Sequence, residues 1–307
     1  MIIIGECIHV LSKKVKTAIE TRDAATIQEL AAAQAKNGAQ VIDLNIGPSR
    51  KTGVEVMQWM VEIVQEAAPG VRLSLDTTNA AAIEAGLQRA KVRCIINSTD
   101  ATEARLNAMM PLAAKYDADI IALTLGDVGL PTSADARIAL AVERIIPAAM
   151  EHGVPMENIY FDPLVMTING NQDQALETIN AVRFFKQISD PPPMTTCGLS
   201  NISNSAPNEM RPLINRVFLA MMLGAGLDSA IIDALDGDML EVIRILDQRD
   251  ASTPMGKLYL GIFDAYAAGE LFDNSGVDLT NEDLRAVAKT VEALENRWIY
   301  AHSYLRL

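Results

Sequence analysis

Acids and carboxamides recur at one kind of place in this 307-residue chain, the end of a short β-branched run. Glu6 follows the first run, Asp43 and Asn45 lie in the second, Asp76 closes the third, and Asn97-Ser98 the fourth. Asp162, Ser200-Asn201 and Asp233 close the sixth, seventh and eighth. One Asp at such a place is commonly the N-cap of the next helix. A whole series is harder to explain as caps. Asp43 and Asn45 are also two apart on one strand, so both point to the same side while Ile42 and Leu44 face the other. Polar side chains therefore gather on one side of the strands.

What is missing narrows the chemistry. Cys7, Cys94 and Cys197 form no CxxC pair, and His9, His152 and His302 show neither HExxH nor any other two-ligand helical spacing. No protein-bound metal is expected, and the cysteines read as small buried hydrophobes of a reducing compartment. Lys36, Lys91, Lys115, Lys186, Lys257 and Lys289 fall on predicted helices or their ends, which argues against a Schiff-base lysine projecting from a strand. No Gly-rich cradle with basic groups follows the seventh or eighth run, as a sugar phosphate would require. Carboxylates and carboxamides without metal or lysine suit a neutral heterocycle with an amidine edge, where Asp accepts two N–H bonds and Asn both gives and takes. A pterin has such an edge.

These residues need elements to hold them. The spacing predicts strands at Ile2–Gly5, Gln40–Asn45, Val71–Leu75, Val92–Asn97, Asp119–Leu123, Asn158–Phe161, Met194–Leu199 and Asp228–Ile232. Helical patterns lie between them, such as Ala24–Lys36 with Asp23 as N-cap and Gly38 past its end, and Val54–Ala67 closed by Pro69-Gly70. Eight β-then-α units in about 250 residues match an α/β fold of the (β/α)8 TIM-barrel type better than an open doubly wound sheet. We read residues 1–250 as the barrel and 251–307 as a C-terminal helical extension, with helices at Lys257–Gly269 and Glu282–Tyr304. Thr280 and Asp283 resemble a capping box, and Leu284, Val287, Val291, Leu294 and Trp298 follow as one apolar seam. A seam of that length suits docking on the chain's own barrel or on a dimer mate.

Half of the chain is apolar, enough to bury a core throughout. Lys+Arg total 26 against Asp+Glu 39, a net charge of −13, so a nucleic-acid partner is not expected. The start MIIIGECIHV has no basic n-region and no apolar run reaches membrane-spanning length, so a cytoplasmic protein is expected.

Six motifs then become recognisable in order: Asp43-Leu-Asn45-Ile-Gly47-Pro48, Leu75-Asp76-Thr77-Thr78-Asn79, Ile96-Asn97-Ser98-Thr99, Phe161-Asp162-Pro163-Leu164, Gly198-Leu199-Ser200-Asn201 and Arg211-Pro-Leu-Ile-Asn-Arg216. Over about residues 1–245 the chain resembles the methyltetrahydrofolate:corrinoid protein methyltransferases of the pterin-binding, dihydropteroate synthase-like barrel family. The resemblance implies a homodimeric barrel that binds methyltetrahydrofolate in its mouth and exchanges the methyl group with a corrinoid held by another protein. Residue by residue, it implies the pterin edge on Asp76, Asn97 and Asp162, with Gly198 and Ser200 beside the ring, Asn201 at N5 and Arg211 as a nearby basic group. Asp43, Asn45 and Glu6 complete the expected substrate-binding set, and Arg50-Lys51 are candidates for the folate tail. The corrinoid is expected from a partner, because no His has Asp two residues before it. That absence and the lack of a zinc cluster exclude a complete methionine synthase on this chain.

The chain also departs from the family. Gly5-Glu6-Cys7-Ile8-His9 stands where Gly-Glu-Arg-Ile-Asn is usual, the segment from Asn201 to Arg211 is about two residues longer, and Gly126-Asp127 replaces an Asn-containing form. Dihydropteroate synthase is the nearest rival reading, but it uses a strand-seven lysine and a glycine-rich segment after the strand-six Asp-Pro. Here the matching residues are Ser200-Asn201 and Leu164-Val165. A non-catalytic folate-binding subunit of a corrinoid methyl-transfer system, or another barrel enzyme with strand-end acids, would keep much of the same pattern.

Overall fold

The computed structural model describes residues 1–306. Its strands are β1 (Ile2–Gly5), β2 (Val41–Asn45), β3 (Arg72–Asp76), β4 (Ile95–Thr99), β5 (Asp119–Leu123), β6 (Ile159–Asp162), β7 (Met194–Thr195) and β8 (Ser229–Ile232). All pair in parallel, in the order β7-β6-β5-β4-β3-β2-β1-β8. The two outer strands approach each other through a parallel bridge between Gly198 and Ile231, with Ile231 N donating to Cys197 O at 2.9 Å. Ser229 Oγ adds a bond to Thr195 O at 3.0 Å. The sheet therefore closes on itself as the expected (β/α)8 TIM barrel.

The intervening helices are α1 (Lys13–Thr21), α2 (Ala24–Lys36), α3 (Gly53–Ala67), α4 (Ala80–Arg89), α5 (Glu103–Lys115), α6 (Ala134–Leu140), α7 (Ile146–His152), α8 (Gln174–Phe185), α9 (Arg211–Gly224) and α10 (Gly237–Gln248). After the barrel come α11 (Pro254–Ala268) and α12 (Glu282–Leu294). Asp23, Asn79, Ser133 and Asp236 each cap a helix by accepting from a first-turn amide.

Strand period divides the interior in two. Ile42, Leu44, Leu73, Leu75, Ile96 and Ile120 face the helices and are fully buried, each contributing about 1.5–3 kcal/mol of burial. Ile4, Val41, Ile95, Ile121 and Tyr160 fill the middle of the barrel. Polar residues on the inward side are thereby pushed to its two ends.

Several boundaries move by one to three residues from the spacing-based reading, and three further differences have a physical cause. β7 ends at Thr195 rather than Leu199, because the chain turns at Gly198 into the 3-10 turn Leu199–Ser203. α12 is capped by Asn281, whose side chain accepts from Asp283 N and Leu284 N; Thr280 Oγ1 instead donates to Asp278 at 2.6 Å. α12 also stops at Leu294 instead of Tyr304. Glu295 turns inward to accept from Tyr266 Oη at 2.9 Å and Phe272 N at 2.8 Å, and Asn296 takes a left-handed φ of 57°. Leu284, Val287, Val291 and Leu294 pack into the same apolar cluster as α9 and α11, while Trp298 falls outside the seam and is half-exposed.

Candidate functional site

Register assembles the polar ends of β2, β3 and β4 into rows. Asn45 stands beside Asp76, and Asp76 beside Asn97; one step deeper, Asp43 stands beside Ser74. Asn45 Nδ2 donates to Asp76 Oδ2. Ser74 Oγ donates to Asp43 Oδ1 at 2.5 Å, and Asn97 Nδ2 donates to the same oxygen at 3.0 Å. Asn45 is held in turn by Gly47 N, which donates to its Oδ1 at 3.1 Å from a turn with φ of 63° that glycine adopts freely.

Burial and mutual repulsion shape the electrostatics of this row. Desolvation pushes both Asp43 and Asp76 above the ordinary carboxylate range, and the charge of Asp43 pushes Asp76 further. The two acids titrate as a pair. A proton held here at neutral pH is therefore available to a bound ligand.

Asp162 stands apart from that network, at the end of β6. It is 5 % exposed, and its Oδ1 accepts from Leu164 N at 2.7 Å. Leu164 has a φ of 63°, unusual for a branched side chain, and this local strain turns its amide toward the carboxylate. Burial pushes Asp162 up to about 7, against the lowering by the Leu164 amide and Arg137.

Glu6 reaches the mouth from the end of β1. Gly5 lets Gln34 approach so closely that a Cβ would lie 2.3 Å from Gln34 Oε1. Gln34 Oε1 then accepts from Cys7 N at 3.1 Å. Glu6 Oε2 accepts from Ser200 Oγ at 3.3 Å, and burial pushes its carboxyl up to about 7. Beside it, Cys7 Sγ donates to Asp233 Oδ1 at 3.1 Å, an oxygen that also accepts from Leu235 N at 2.8 Å. Burial raises the Cys7 thiol, so it stays protonated and acts as a donor.

Asn201 sits on the turn after β7, next to Gly198, where a Cβ would meet its Nδ2 at 3.1 Å. Its Oδ1 accepts from Asn204 Nδ2 at 3.3 Å. Arg211, first residue of α9, spans the same turn: Nε donates to Ser203 Oγ at 3.2 Å and Nη2 to Asn204 Oδ1 at 3.3 Å. Arg211 thus braces the Asn201 turn. All ten expected site residues lie at the C-terminal end of the barrel, with direct bonds joining Asn45 to Asp76, Asp43 to Asn97 and Glu6 to Ser200.

Comparisons with known proteins place the chain in a family. The model of the family described as "Pterin binding enzyme" matches residues 11–233. The chain belongs to the pterin-binding enzymes. It is 30% identical over 249 residues to a protein of Eubacterium limosum named methylcorrinoid:tetrahydrofolate methyltransferase, covering 80% of this chain and 90% of that one. It is 32% identical over 232 residues to methionine synthase of Mycobacterium tuberculosis, covering 73% of this chain but 19% of that protein. The crystal structure of dihydropteroate synthase from Thermus thermophilus in complex with 6HMPPP superposes with a TM-score of 0.55 at 17% identity, covering 80% of this chain and 93% of that one. That likeness concerns the fold alone.

Two residues of this pterin-binding enzyme escaped the sequence reading. Ser74 is the register neighbour of Asp43, and its signal was present: it lies two before Asp76 and so faces inward as well. Arg137 lies within α6, and nothing in its local sequence marks it as buried. A cavity of about 410 Å³ opens at the same end of the barrel, bordered by Ala101, Asp127, Leu130, Pro131 and Arg144. Among the described residues no group of three His, Cys, Asp or Glu could hold a metal, and no helix is long and apolar enough to cross a membrane.

Proposed function

We propose that this enzyme moves a methyl group between N5 of methyltetrahydrofolate and the corrinoid of a separate protein. The observation that carries the reading is the mouth row of Asn45, Asp76 and Asn97, with Asp162 at the end of β6, in a chain so similar over its length to a protein named for that reaction. In this reading Asp76, Asn97 and Asp162 take the amidine edge of the pterin, while Gly198 and Ser200 lie beside the ring. Asp43 and Asn45 orient that set, and Glu6 adds a carboxyl at its margin. The partner's corrinoid supplies the cobalt centre that gives or accepts the methyl group. The enzyme works as a homodimer in the cytoplasm.

A tertiary amine is a poor leaving group unless N5 gains a proton or a strong hydrogen bond as the methyl departs. Asn201 does not titrate, but its amide can turn so that Oδ1 accepts from a protonated N5. In a water-poor mouth this contributes about 2–4 kcal/mol to the transition state. The raised carboxyls of Asp76 and Asp162 supply or receive the proton through water. The same groups serve either direction of transfer.

The test is anaerobic. Purified protein is mixed with methyltetrahydrofolate and free cob(I)alamin, and loss of the cobalt(I) absorption is followed with growth of methylcobalamin. Transfer slowed by about 100-fold in Asn201→Ala, on the scale of one lost transition-state hydrogen bond, supports reaction and site together. An unchanged rate in that variant refutes the role of Asn201. Tight folate binding without transfer favours the carrier reading or strict dependence on the cognate corrinoid protein, and no folate binding sinks the pterin assignment.

A further inference from the structure

α6 buries one arginine completely. Arg137 is 0 % exposed, its Nε donates to Pro163 O at 2.6 Å, and its Nη2 donates to Gln174 Oε1 at 3.2 Å. Nη1 has no protein acceptor. Taking a guanidinium out of water costs several kcal/mol, and a well-packed methionine of similar volume often costs less. No carboxylate forms an ion pair with it among the described residues: Glu177, the nearest acid on α8, accepts from Ala134 N at 2.6 Å and acts on Arg137 only at longer range. The cation must therefore serve something other than the packing of α6.

Its strongest bond points to what that is. Pro163 directly follows Asp162, and the next amide, Leu164 N, is the one that donates to Asp162 Oδ1. We propose that Arg137 is a positioning residue for Asp162: it pins the Pro163 carbonyl, so that the strained Leu164 turn keeps its amide on the carboxylate, and its charge keeps that buried acid ionisable. This rests on the reading that Asp162 takes the pterin edge.

The groups around Asp162 fit the proposal. Arg137 faces it from α6, the Gly198 amide and the Cys197 thiol from the segment after β7, and Leu164 N from its own loop; the charge of Glu6, just after β1, acts on the same thiol. Arg137 is the cation in that set. Burial raises Asp162, and the Leu164 amide, Arg137 and the Gly198 amide, in that order, hold it near neutrality. Without the arginine a pterin at pH 7 would meet a protonated acid, a weaker acceptor of its N–H groups.

The experiment follows the Asp side-chain carboxyl carbons by 13C NMR in the ligand-free protein, with Asp162→Asn assigning the resonance. Wild type, Arg137→Lys and Arg137→Met are compared, and methyltetrahydrofolate binding is titrated between pH 5 and 9. Arg137→Met is expected to raise the Asp162 midpoint by about one unit and to weaken binding at pH 7 by about tenfold. Arg137→Lys is expected to keep the midpoint within a few tenths of a unit while binding falls several-fold, because a lysine lacks the planar fork. Equal midpoints in all three proteins overturn the proposal, even if both variants lose stability. Should Arg137→Met fail to fold, Arg137→Lys decides alone, and wild-type binding in it overturns the proposal. A wild type that binds no folate while the Asp162 midpoint still moves in Arg137→Met would sink the functional reading and leave the role of Arg137 standing.

Discussion

Asp119, at the N-terminal end of the barrel, is clasped by two arginines, Arg72 and, at 2.8 Å, Arg93. Asp228, at the same end, accepts from Lys186 Nζ at 2.8 Å and from both Thr195 N and Thr195 Oγ1. At the opposite end Asp43, Asp76 and Glu6 have amides and hydroxyls for partners, and no ion pair reaches them among the described residues. Asp162 has backbone amides and the influence of Arg137, which bonds elsewhere. One fold thus treats the carboxylates at the two ends of its strands in two ways. At the bottom each charge is matched within the chain and does structural duty. At the mouth no cation matches the carboxyls, so burial disfavours their charged forms, a cost that the N–H groups of a bound heterocycle would offset.

The comparison breaks if the two ends respond alike to substitution. The largest effect is expected for Asp76→Asn, which removes an acceptor from the mouth: methyltetrahydrofolate binding should weaken about 100-fold, near 3 kcal/mol, with the melting temperature unchanged or higher. Calorimetric titration and thermal denaturation on the same samples check both halves. Arg72→Met should do the reverse. Leaving Asp119 to Arg93 alone should cost about 2 kcal/mol of stability in urea denaturation, with methyl transfer per folded molecule unchanged.

The smallest effect sharpens the comparison through pH. The folded-state values of Asp162 and Glu6, both about 7, lie above their ordinary values of 3.8 and 4.5. The folded state therefore binds more protons than the unfolded chain between about pH 4 and 7. The stabilisation this gives is complete below that window and is lost as pH rises through it. Denaturation midpoints at pH 5, 6 and 7 should fall in that order, and Asp162→Asn should flatten the slope by about 1 kcal/mol per pH unit. A wild-type stability that rises from pH 5 to 7 would contradict the uncompensated mouth.

Much of this was legible along the chain. The alternation of β-branched runs with capped amphipathic stretches specified the barrel, since strand period and helix period are local properties that neighbouring residues express together. β1 and β5 run over the residues their spacing indicated, and α2 does so with Asp23 as its cap. The strand-end acids were visible for the same reason. The C-terminal seam was readable as far as Leu294, but its end was set by a long-range event, the burial of Glu295 against Tyr266 and Phe272, which no local periodicity records.

The amino-acid order by itself determined which side chains face inward and at which end of each strand they stand, because side-chain direction follows from strand period alone. Tertiary structure alone decided the pairing. Parallel register set Asp76 between Asn45 and Asn97, barrel closure brought Ser200 to Glu6 across 194 positions, and packing of α6 carried Arg137 to the peptide beside Asp162. These contacts join residues distant in sequence, and whether a buried acid is matched or left unmatched depends on what the closed barrel brings within reach.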